Sequence, residues 1–420
     1  MTNLSSKSIL YCRICKFRLT KVLDLGKQPP ANSLRSNKNK EIKPVKLKLN
    51  RCNKCKTLQL SESVSKKYLF ENYVWVTGTA KVTKNFSKKF CEIASKRLKN
   101  KSRFILEIAS NDGTFLKPFK KKNYKIIGID PAKNISKIAN ENKIKTINDF
   151  FNNTTSKKIL KKYGYANLIF ARNVIPHVEN INQVMKGIST LMDYKTIGCI
   201  EFHYVDNIIK QNQYDSIYHE HIFYFSIKSL MNLLDKFSLF CFDLEVSPIS
   251  GGSLIIFFSK LRKEKTKNLI KKIQNEKKAR INQIDTHKKF AINSQIHKEK
   301  FKKLLLKSNK YYKNIYGYGA SARSSTLLNF SNVSKEIKGI FDKNLIKINK
   351  YTAGSNIFIH DLKKFKILKP DLIIILAWNF TEEIIRELEK EYGYKGNYLI
   401  PIPTPKIIMN KNKIKPKALK

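Results

Sequence analysis

Short apolar runs and amphipathic segments alternate along the middle of the chain. The apolar runs are bounded by polar or turn residues and predict strands at 104–108, 124–129, 166–171 and 196–202. The stretches between them carry apolar residues at helical spacing, and a further helical pattern covers 81–99. Strands that alternate with helices predict an α/β fold, in which helices cover both faces of a parallel sheet.

A second region of the same type follows a long helical stretch. Residues 261–312 contain no Gly or Pro and are rich in Lys, which predicts a long helix or a helix pair between two domains. The α/β pattern then resumes at Asn314, with strands near 337–341, 372–377 and 398–400. The predicted organisation is an N-terminal module, a doubly wound Rossmann-like domain, a helical linker and a second Rossmann-like domain, at 1–72, 73–260, 261–312 and 313–408.

The charge of the chain is strongly positive. It has 83 Lys and Arg against 32 Asp and Glu, for a formal net charge of +51 over 420 residues. One interpretation is a polyanionic partner such as RNA or an anionic membrane. The other is drift toward AT-rich codons, which enriches Lys, Asn and Ile together. The lysines are spread along the whole chain rather than gathered in one patch, which favours drift.

The apolar runs also bear on localisation. None approaches the roughly 20 residues of a membrane span, and the N-terminus has no apolar signal region. We therefore expect a cytoplasmic protein that does not act at a membrane, in a compartment that keeps thiols reduced.

Four of the seven cysteines occur as two pairs with metal-binding spacing. Cys12 and Cys15 form one CxxC pair, and Cys52 and Cys55 form the other. Two such knuckles can complete a tetrahedral shell of four sulfurs, which is typical of structural zinc. The alternative is redox-active or unrelated cysteine pairs. We expect the remaining three cysteines to be core residues.

The loop after the first predicted strand of the central domain is a candidate cofactor site. Glu107 lies in that strand, and the Ala109, Ser110, Asn111, Asp112, Gly113 turn follows it. Asp130 and Pro131 end the next strand, where an acidic side chain can accept hydrogen bonds from both ribose hydroxyls of an adenosyl group. Glu107 can hold the amino group of a methionine moiety. These features predict S-adenosylmethionine as the cofactor and favour a methyltransferase over other doubly wound folds.

A second glycine-containing turn opens the C-terminal domain. It comprises Gly317, Tyr318, Gly319, Ala320 and Ser321, and it lacks the third glycine of a dinucleotide fingerprint. Gly319, Ser321 and Arg323 are candidates for binding a phosphate or a sugar nucleotide at a helix N-terminus. A purely structural turn is the alternative.

Histidines are concentrated between positions 177 and 221. His177 and His203 follow predicted strands, and His219 and His221 flank Glu220. Isolated histidines are commonly structural, and histidine clusters also bind metals. Here no pair has the helical spacing of a metallohydrolase. Clustering at strand ends favours general acid–base chemistry, which a carbon nucleophile beside a ketone would require.

These motifs together resemble the sugar C-methyltransferases that act on nucleotide-linked 4-keto-hexoses. The resemblance covers almost the whole chain. The matching segments are the two CxxC pairs, 106–113, 173–177, 218–225, 250–253 and 316–329. It implies a zinc module, a central methyltransferase domain and a C-terminal domain similar to nucleotide-binding domains, with the sugar between the last two.

The resemblance also implies roles for individual residues. His221 corresponds to the base that removes the proton beside the ketone, and Glu220 and Tyr218 correspond to its supports. It places His177 and Asn173 in the pocket near the reacting centre or the cofactor. Tyr73 or Trp75 would be an aromatic residue of the segment before the central domain. Independently of the resemblance, His203 at the end of a predicted strand is a candidate for binding the substrate. The family commonly has glycine where this chain has Ala109 and lysine where it has Arg323.

Two other classes of function remain open on the sequence alone. An RNA methyltransferase would use the basic charge and the zinc module, but the chain has no Pro-Cys and no Asn/Asp-Pro-Pro-aromatic motif. A non-catalytic binding protein would not need the acid–base residues. We expect a nucleotide-diphosphate sugar as the substrate and no specific nucleic acid partner. The oligomeric state is open, and a monomer is compatible with the sequence.

Overall fold

The computed structural model describes residues 6–39, 42–65, 68–69, 76–79, 81–98, 104–249 and 252–410. Their contacts divide the chain into two units. Unit 1 comprises Met1–Thr20, Asn50–Asp206 and Ile222–Ile284, and unit 2 comprises Lys21–Leu49, Asn207–His221 and Asp285–Lys420. The domain boundaries given above stay predictions.

The strands are numbered in chain order. They are β1 (Ser6–Ser8), β2 (Leu19–Gln28), β3 (Val45–Cys52), β4 (Leu58–Leu60), β5 (Glu62–Val64), β6 (Phe104–Ile108), β7 (Lys125–Ile129), β8 (Thr146–Ile147), β9 (Leu168–Arg172), β10 (Ile197–His203), β11 (Phe223–Tyr224), β12 (Phe240–Ser247), β13 (Ser253–Ser259), β14 (Ile315–Tyr318), β15 (Gly339–Asp342), β16 (Ile359–Asp361), β17 (Leu372–Ile375), β18 (Asn397–Ile400) and β19 (Lys406–Ile408).

The α-helices are numbered in the same way. They are α1 (Lys81–Ser95), α2 (Lys117–Lys121), α3 (Lys133–Glu141), α4 (Asn153–Tyr163), α5 (Ile181–Leu191), α6 (Val205–Lys210), α7 (Ile227–Asp235), α8 (Lys267–Lys278), α9 (Ile284–Ser308), α10 (Ala322–Ser331), α11 (Phe365–Leu368) and α12 (Thr381–Tyr392). In the described part of the chain, no helix combines the length and the apolar character that crossing a membrane requires.

Unit 1 is built on a seven-stranded sheet with the order β12-β13-β10-β9-β6-β7-β8. Strands β6 to β10 are parallel, and β13 and β12 add an antiparallel pair at one edge. The chain runs outward from β6 to β8 and then returns to β9 on the other side of β6. Ligands of open α/β sheets bind at such a reversal, beyond the carboxyl ends of the strands.

The central strands of unit 1 are apolar because both faces of the sheet are covered. Along β6, Phe104, Leu106 and Ile108 join one hydrophobic cluster and Ile105 joins another. Alternate side chains of a strand point to opposite faces, so a continuous apolar run is needed when neither face meets water. The prediction of a parallel sheet covered on both faces is confirmed.

Unit 2 contains the second α/β sheet, which has six strands in the order β16-β15-β14-β17-β18-β19. All are parallel except β19, which pairs antiparallel with β18. The direction of winding reverses between β14 and β17. The turn after β14, which holds Gly319 and Ser321, therefore lies at the point where such sheets bind ligands.

The Lys-rich region at 261–312 forms a helix pair, as the pattern predicted. Helix α8 belongs to unit 1, where its buried Glu276 accepts hydrogen bonds from the Tyr204 hydroxyl at 2.9 Å and from the Ile227 backbone N–H at 2.8 Å. The Lys228 N–H donates to the same carboxylate at 3.1 Å. Glu276 thereby satisfies two N–H groups at the start of α7, which no residue within that helix can bond.

Replacement of Glu276 should therefore destabilise unit 1. We expect Glu276→Ala to lower the free energy of unfolding by about 2–4 kcal/mol, because buried donors at the start of α7 lose their acceptor. Urea denaturation followed by circular dichroism measures this. Glu264→Ala removes an exposed carboxylate just before α8 and should change stability by less than about 0.5 kcal/mol. Equal stability of the two variants would contradict the capping role.

Candidate functional site

The four predicted metal ligands lie together in unit 1. The sulfurs of Cys12, Cys15, Cys52 and Cys55 are all within 4.8 Å of one another. Those of Cys12 and Cys55 are 3.6 Å apart, and those of Cys15 and Cys52 are 3.4 Å apart. Sulfurs on a tetrahedral zinc ion are about 3.8 Å apart, since each Zn–S bond is about 2.3 Å. The cluster fits a closed structural zinc site.

The two cysteine pairs have the same backbone geometry. Lys16 and Lys56, which each follow the second cysteine of a pair, have φ of 62° and 64°. Their N–H groups donate to the carbonyls of Cys12 and Cys52, at 2.9 and 3.0 Å. The Gln59 amide also donates to the Cys12 sulfur, at 3.0 Å. Donors of this kind stabilise metal-bound thiolates and fix their direction.

The remaining cysteines are buried, as expected for core residues. Cys91, Cys199 and Cys241 are each at most 5% exposed. Burial raises the pKa of each of these thiols, so they stay protonated at neutral pH.

The loop after β6 places three residues in the left-handed region. Ala109, Asn111 and Gly113 have φ of 54°, 50° and 75°. A Cβ at Gly113 would lie 2.5 Å from Cγ2 of Ile144, so only glycine fits there. An alanine in this region is strained by about 1 kcal/mol, so glycine would be accommodated more easily than Ala109 at this position.

Glu107 and Asp130 lie at the carboxyl ends of the neighbouring strands β6 and β7. Both are buried, and burial raises the pKa of each carboxyl. Glu107 Oε2 has no hydrogen-bond partner among the described residues. Asp130 accepts from the backbone N–H groups of Asn111 and Ala132, both at 2.9 Å, and keeps free lone pairs. An unpartnered acceptor and a rigidly held carboxylate fit the amino group and ribose hydroxyls of the predicted cofactor.

Asn111 and Asp112 also hold the segment that precedes α1. The side chain of Asn111 accepts from the Thr77 N–H at 2.8 Å, and that of Asp112 accepts from the Gly78 N–H at 3.1 Å. This function was not foreseen from the sequence. Tyr73 and Trp75, the aromatic candidates of the same segment, lie outside the described residues.

A buried ion pair lies at the carboxyl ends of the neighbouring strands β9 and β10. Arg172, the last residue of β9, donates from Nε to Oε2 of Glu201 in β10 at 2.6 Å. Its guanidinium also lies 3.1 Å from the ring centroid of Phe115. The Arg172 charge opposes the effect of burial on the pKa of Glu107. No motif predicts this pair, because it depends on the register between β9 and β10.

The other candidates of unit 1 lie at the same ends of the strands. Asn173 follows β9 with φ of 50°, and its N–H donates to the Glu201 carbonyl at 2.9 Å. His177 lies in the short 3₁₀ turn after β9, and His203 is the buried last residue of β10. Pro131 follows Asp130 and precedes α3. Their roles in binding stay predictions.

The 218–221 segment of unit 2 brings three predicted catalytic residues together along the chain. The Tyr218 hydroxyl is 2.8 Å from Nε2 of His221, and the two rings lie with centroids 4.2 Å apart. Glu220 is buried, and burial raises the pKa of its carboxyl to about 7, although Asn32 and Lys347 act in the opposite direction. The Asn32 amide donates to Glu220 Oε1 at 2.6 Å.

His219 contacts the backbone of β3 rather than the candidate acid–base groups. Its Nε2 is 3.3 Å from the Val45 carbonyl, and burial lowers the pKa of the ring to about 4. Since a carbonyl can only accept, Nε2 carries the proton and His219 is a neutral donor. It is therefore a structural residue, whereas its neighbours carry the candidate acid–base groups.

Arg323 is bound to a carboxylate of unit 2. Its guanidinium donates to both oxygens of the buried Asp215, at 3.1 and 3.0 Å. Trp378 Nε1 also donates to Asp215, at 2.8 Å. Thr326 of the same helix donates to the Ile217 carbonyl at 2.9 Å. Helix α10 thus holds the residues just before Tyr218, a role that the glycine-rich turn did not indicate.

Gly319 and Ser321 shape the turn between β14 and α10. Gly319 has φ of 95°, and a Cβ there would lie 2.8 Å from that of Ala377. The Ser321 hydroxyl accepts from the Ser324 N–H at 3.1 Å and caps α10. Lys347 donates to the Ala320 carbonyl at 2.9 Å. Substrate binding by Gly319, Ser321 and Arg323 stays a prediction.

Three protein-family models match successive parts of the chain. A zinc binding domain matches residues 12–70, a methyltransferase domain matches 82–239, and a C-methyltransferase C-terminal domain matches 248–403. Their order agrees with the predicted organisation of the chain.

Individual proteins are also similar to parts or to nearly all of this chain. C-methyltransferase NovU from Streptomyces niveus is 27% identical to this chain, over 94% of this chain and 96% of that protein. Magnesium protoporphyrin IX methyltransferase ChlM from Synechocystis PCC 6803, solved with bound SAM, is 9% identical and has a TM-score of 0.31, over 42% of this chain and 77% of that one. The CcbJ methyltransferase from Streptomyces caelestis is 10% identical with a TM-score of 0.32, over 41% and 88%.

The cysteine cluster predicts a specific metal content. We expect about one zinc ion per purified chain, and Cys15→Ser should lose it and lower the melting temperature, because three thiolates cannot complete the closed shell. Metal analysis by mass spectrometry and thermal unfolding measure this. Cys241→Ala removes a thiol outside the cluster and should keep the zinc. Equal zinc content in Cys15→Ser and the unaltered protein would contradict the assignment.

Proposed function

We propose that this chain, which is an S-adenosylmethionine-dependent C-methyltransferase with an N-terminal zinc-binding domain, methylates a carbon beside the ketone of a nucleotide-diphosphate keto-sugar. The observation that supports the enolate chemistry is the contact between Tyr218 and His221 next to the buried Glu220. A base, a hydroxyl donor and a carboxylate on one short segment are the groups that enolate formation needs.

His221 is the proposed base. A neutral imidazole accepts the Tyr218 hydroxyl at Nε2, and the same nitrogen can take the proton of the carbon beside the ketone once that hydroxyl turns away. The electron pair of the broken C–H bond becomes the enolate, and the Tyr218 hydroxyl then donates to the enolate oxygen. The Tyr218 hydroxyl thereby donates to the base in the resting state and to the enolate oxygen during the reaction.

The cofactor would be held by the loop after β6. Glu107 Oε2 would accept from the cofactor ammonium, and the Asp130 carboxylate would accept from the ribose hydroxyls. When bound, S-adenosylmethionine supplies an electrophilic methyl group to the enolate carbon, and its sulfur keeps the electron pair of the broken S–C bond. Glycine at position 113 lets the backbone approach the bound group closely.

The nucleotide part of the substrate is assigned to unit 2. The turn at 319–321 lies at the winding reversal of its parallel sheet, where open α/β sheets bind ligands. Arg323 is paired with Asp215, and Lys347, which donates to the Ala320 carbonyl and lies 3.7 Å from Asp342, places a second basic group at this turn. The general positive charge of the chain would attract a diphosphate at long range.

Replacement of the proposed base should impair methyl transfer without weakening cofactor binding. We expect His221→Asn to lower methyl transfer to a nucleotide-linked 4-keto-hexose by about 10²–10⁴-fold and to abolish solvent deuterium exchange beside the ketone, with unchanged affinity for S-adenosylmethionine. His360→Asn, the same substitution on β16, should keep both reactions. Transfer and exchange at the unaltered rate in His221→Asn would rule out the proposed base.

Loss of the buried acceptor should weaken cofactor binding. We expect Glu107→Gln to reduce the affinity for S-adenosylmethionine by about 10-fold or more, because the buried ammonium then meets a neutral amide oxygen in place of a carboxylate. Isothermal titration calorimetry measures it. Glu141→Gln changes an exposed carboxylate of α3 and should leave the affinity unaltered. An unaltered affinity in Glu107→Gln would place the ammonium elsewhere.

A further inference from the structure

The loop at 28–35 brings a residue of the zinc-domain sequence into unit 2. Asn32, at the middle of this loop, donates from Nδ2 to Glu220 Oε1 at 2.6 Å, across 188 positions of sequence. Gln28 to Ala31 are buried, whereas Asn32 is half-buried. The carboxylate that adjoins the proposed base is therefore bonded by a side chain that lies far from the 218–221 segment in sequence.

Contacts at both ends hold this loop in position, and most of them are made by Arg35 at its C-terminal end. Arg35 and Tyr351 exchange backbone hydrogen bonds at 3.0 and 2.7 Å. The Arg35 guanidinium donates to the Asn356 side chain at 2.5 Å and to the Thr352 carbonyl at 3.3 Å. At its other end, a Cβ on Gly354 would lie 3.0 Å from Pro29. Asn32 is thus presented by a braced loop rather than by a free one.

We propose that Asn32 is a positioning residue of the acid–base segment, which holds the Glu220 carboxylate in the orientation and ionisation that His221 requires. This rests on the function proposed above. Glu220 is 4% exposed, so its charged form depends on the few donors that reach it.

The contact between Asn32 and Glu220 can be tested through the pKa of Glu220. Burial raises the pKa of Glu220 to about 7, while the Asn32 hydrogen bond and the charge of Lys347, in the loop after β15, lower it. His219 and His221 flank Glu220 in sequence, and His219 is neutral for the reason given above. Because Asn32 favours the ionised carboxylate, removing its donor must move the ionisation of Glu220 to higher pH.

The experiment titrates Glu220 directly. The protein is labelled with ¹³C at the glutamate carboxyl carbons, and Glu220→Gln identifies the Glu220 resonance. We expect a midpoint near pH 7 in the unaltered protein. In Asn32→Asp, which is nearly isosteric, and in Asn32→Ala, the midpoint should rise by about one pH unit or more. Asn37→Ala, an exposed position that follows the braced loop, should not shift it.

Kinetics provide the second readout. If the reaction requires the ionised Glu220 carboxylate, the rate of proton exchange falls at low pH as Glu220 becomes protonated. In the Asn32 variants, this acidic limb of the pH–rate profile should move to higher pH by the same amount as the titration midpoint. Melting temperature and S-adenosylmethionine binding show that the variants are folded. A Glu220 midpoint that stays unaltered in folded Asn32→Asp would overturn the proposal.

The two proposals can fail separately. An unaltered protein that neither exchanges nor methylates any keto-sugar contradicts the proposed function, even if Asn32 controls the Glu220 titration. An active protein whose acidic limb is the same in Asn32→Asp contradicts the role of Asn32 alone.

Discussion

The burial of carboxylates is the constraint on which both candidate sites depend. A carboxylate removed from water must be paired, bonded by donors or protonated. Asp130 is bonded by two backbone N–H groups, Glu201 is paired with Arg172, and Glu220 is bonded by Asn32. Glu107 keeps an oxygen without a partner among the described residues. This oxygen is the group that we propose as the acceptor for the cofactor ammonium.

The same constraint explains how unit 2 fixes the acid–base segment. Asp215 is buried and accepts from Arg323 and Trp378, so the chain just before Tyr218 is held by α10 and by the loop after β17. Moving Asp215 away from these partners would leave a buried charge without a counter-charge, which is strongly unfavourable. The network therefore holds this part of the chain in place. Tyr218 and His221 then meet across three positions of the chain.

Much of the fold could be predicted from the sequence, because its signals are local. The apolar runs at 104–108 and 372–377 each predict one strand, and the Gly- and Pro-free stretch at 261–312 predicts a long helix or a helix pair. The CxxC pairs predict four ligands, and the structure brings their sulfurs together. The contact of Tyr218 with His221 could also be predicted, because only three positions separate the two residues.

Contacts between distant segments could not be predicted in this way. The pairing of Asn32 with Glu220 spans 188 positions, and no spacing rule connects a proline-rich loop with a histidine segment. Arg323 was expected to meet phosphate because of its helix position, but its carboxylate partner lies 108 positions away. The left-handed backbone of Ala109 likewise becomes visible only in the folded loop.

The central claim is that the methyl group is transferred to carbon. The most direct measurement uses S-adenosylmethionine with a ¹³C-labelled methyl group, the unaltered protein and a panel of nucleotide-linked 4-keto-hexoses, and it locates the label in the product by NMR. The account predicts a methyl carbon bonded to the sugar carbon beside the ketone, with loss of that carbon's proton. A label found on a sugar oxygen, or on RNA when RNA is offered instead, would contradict it.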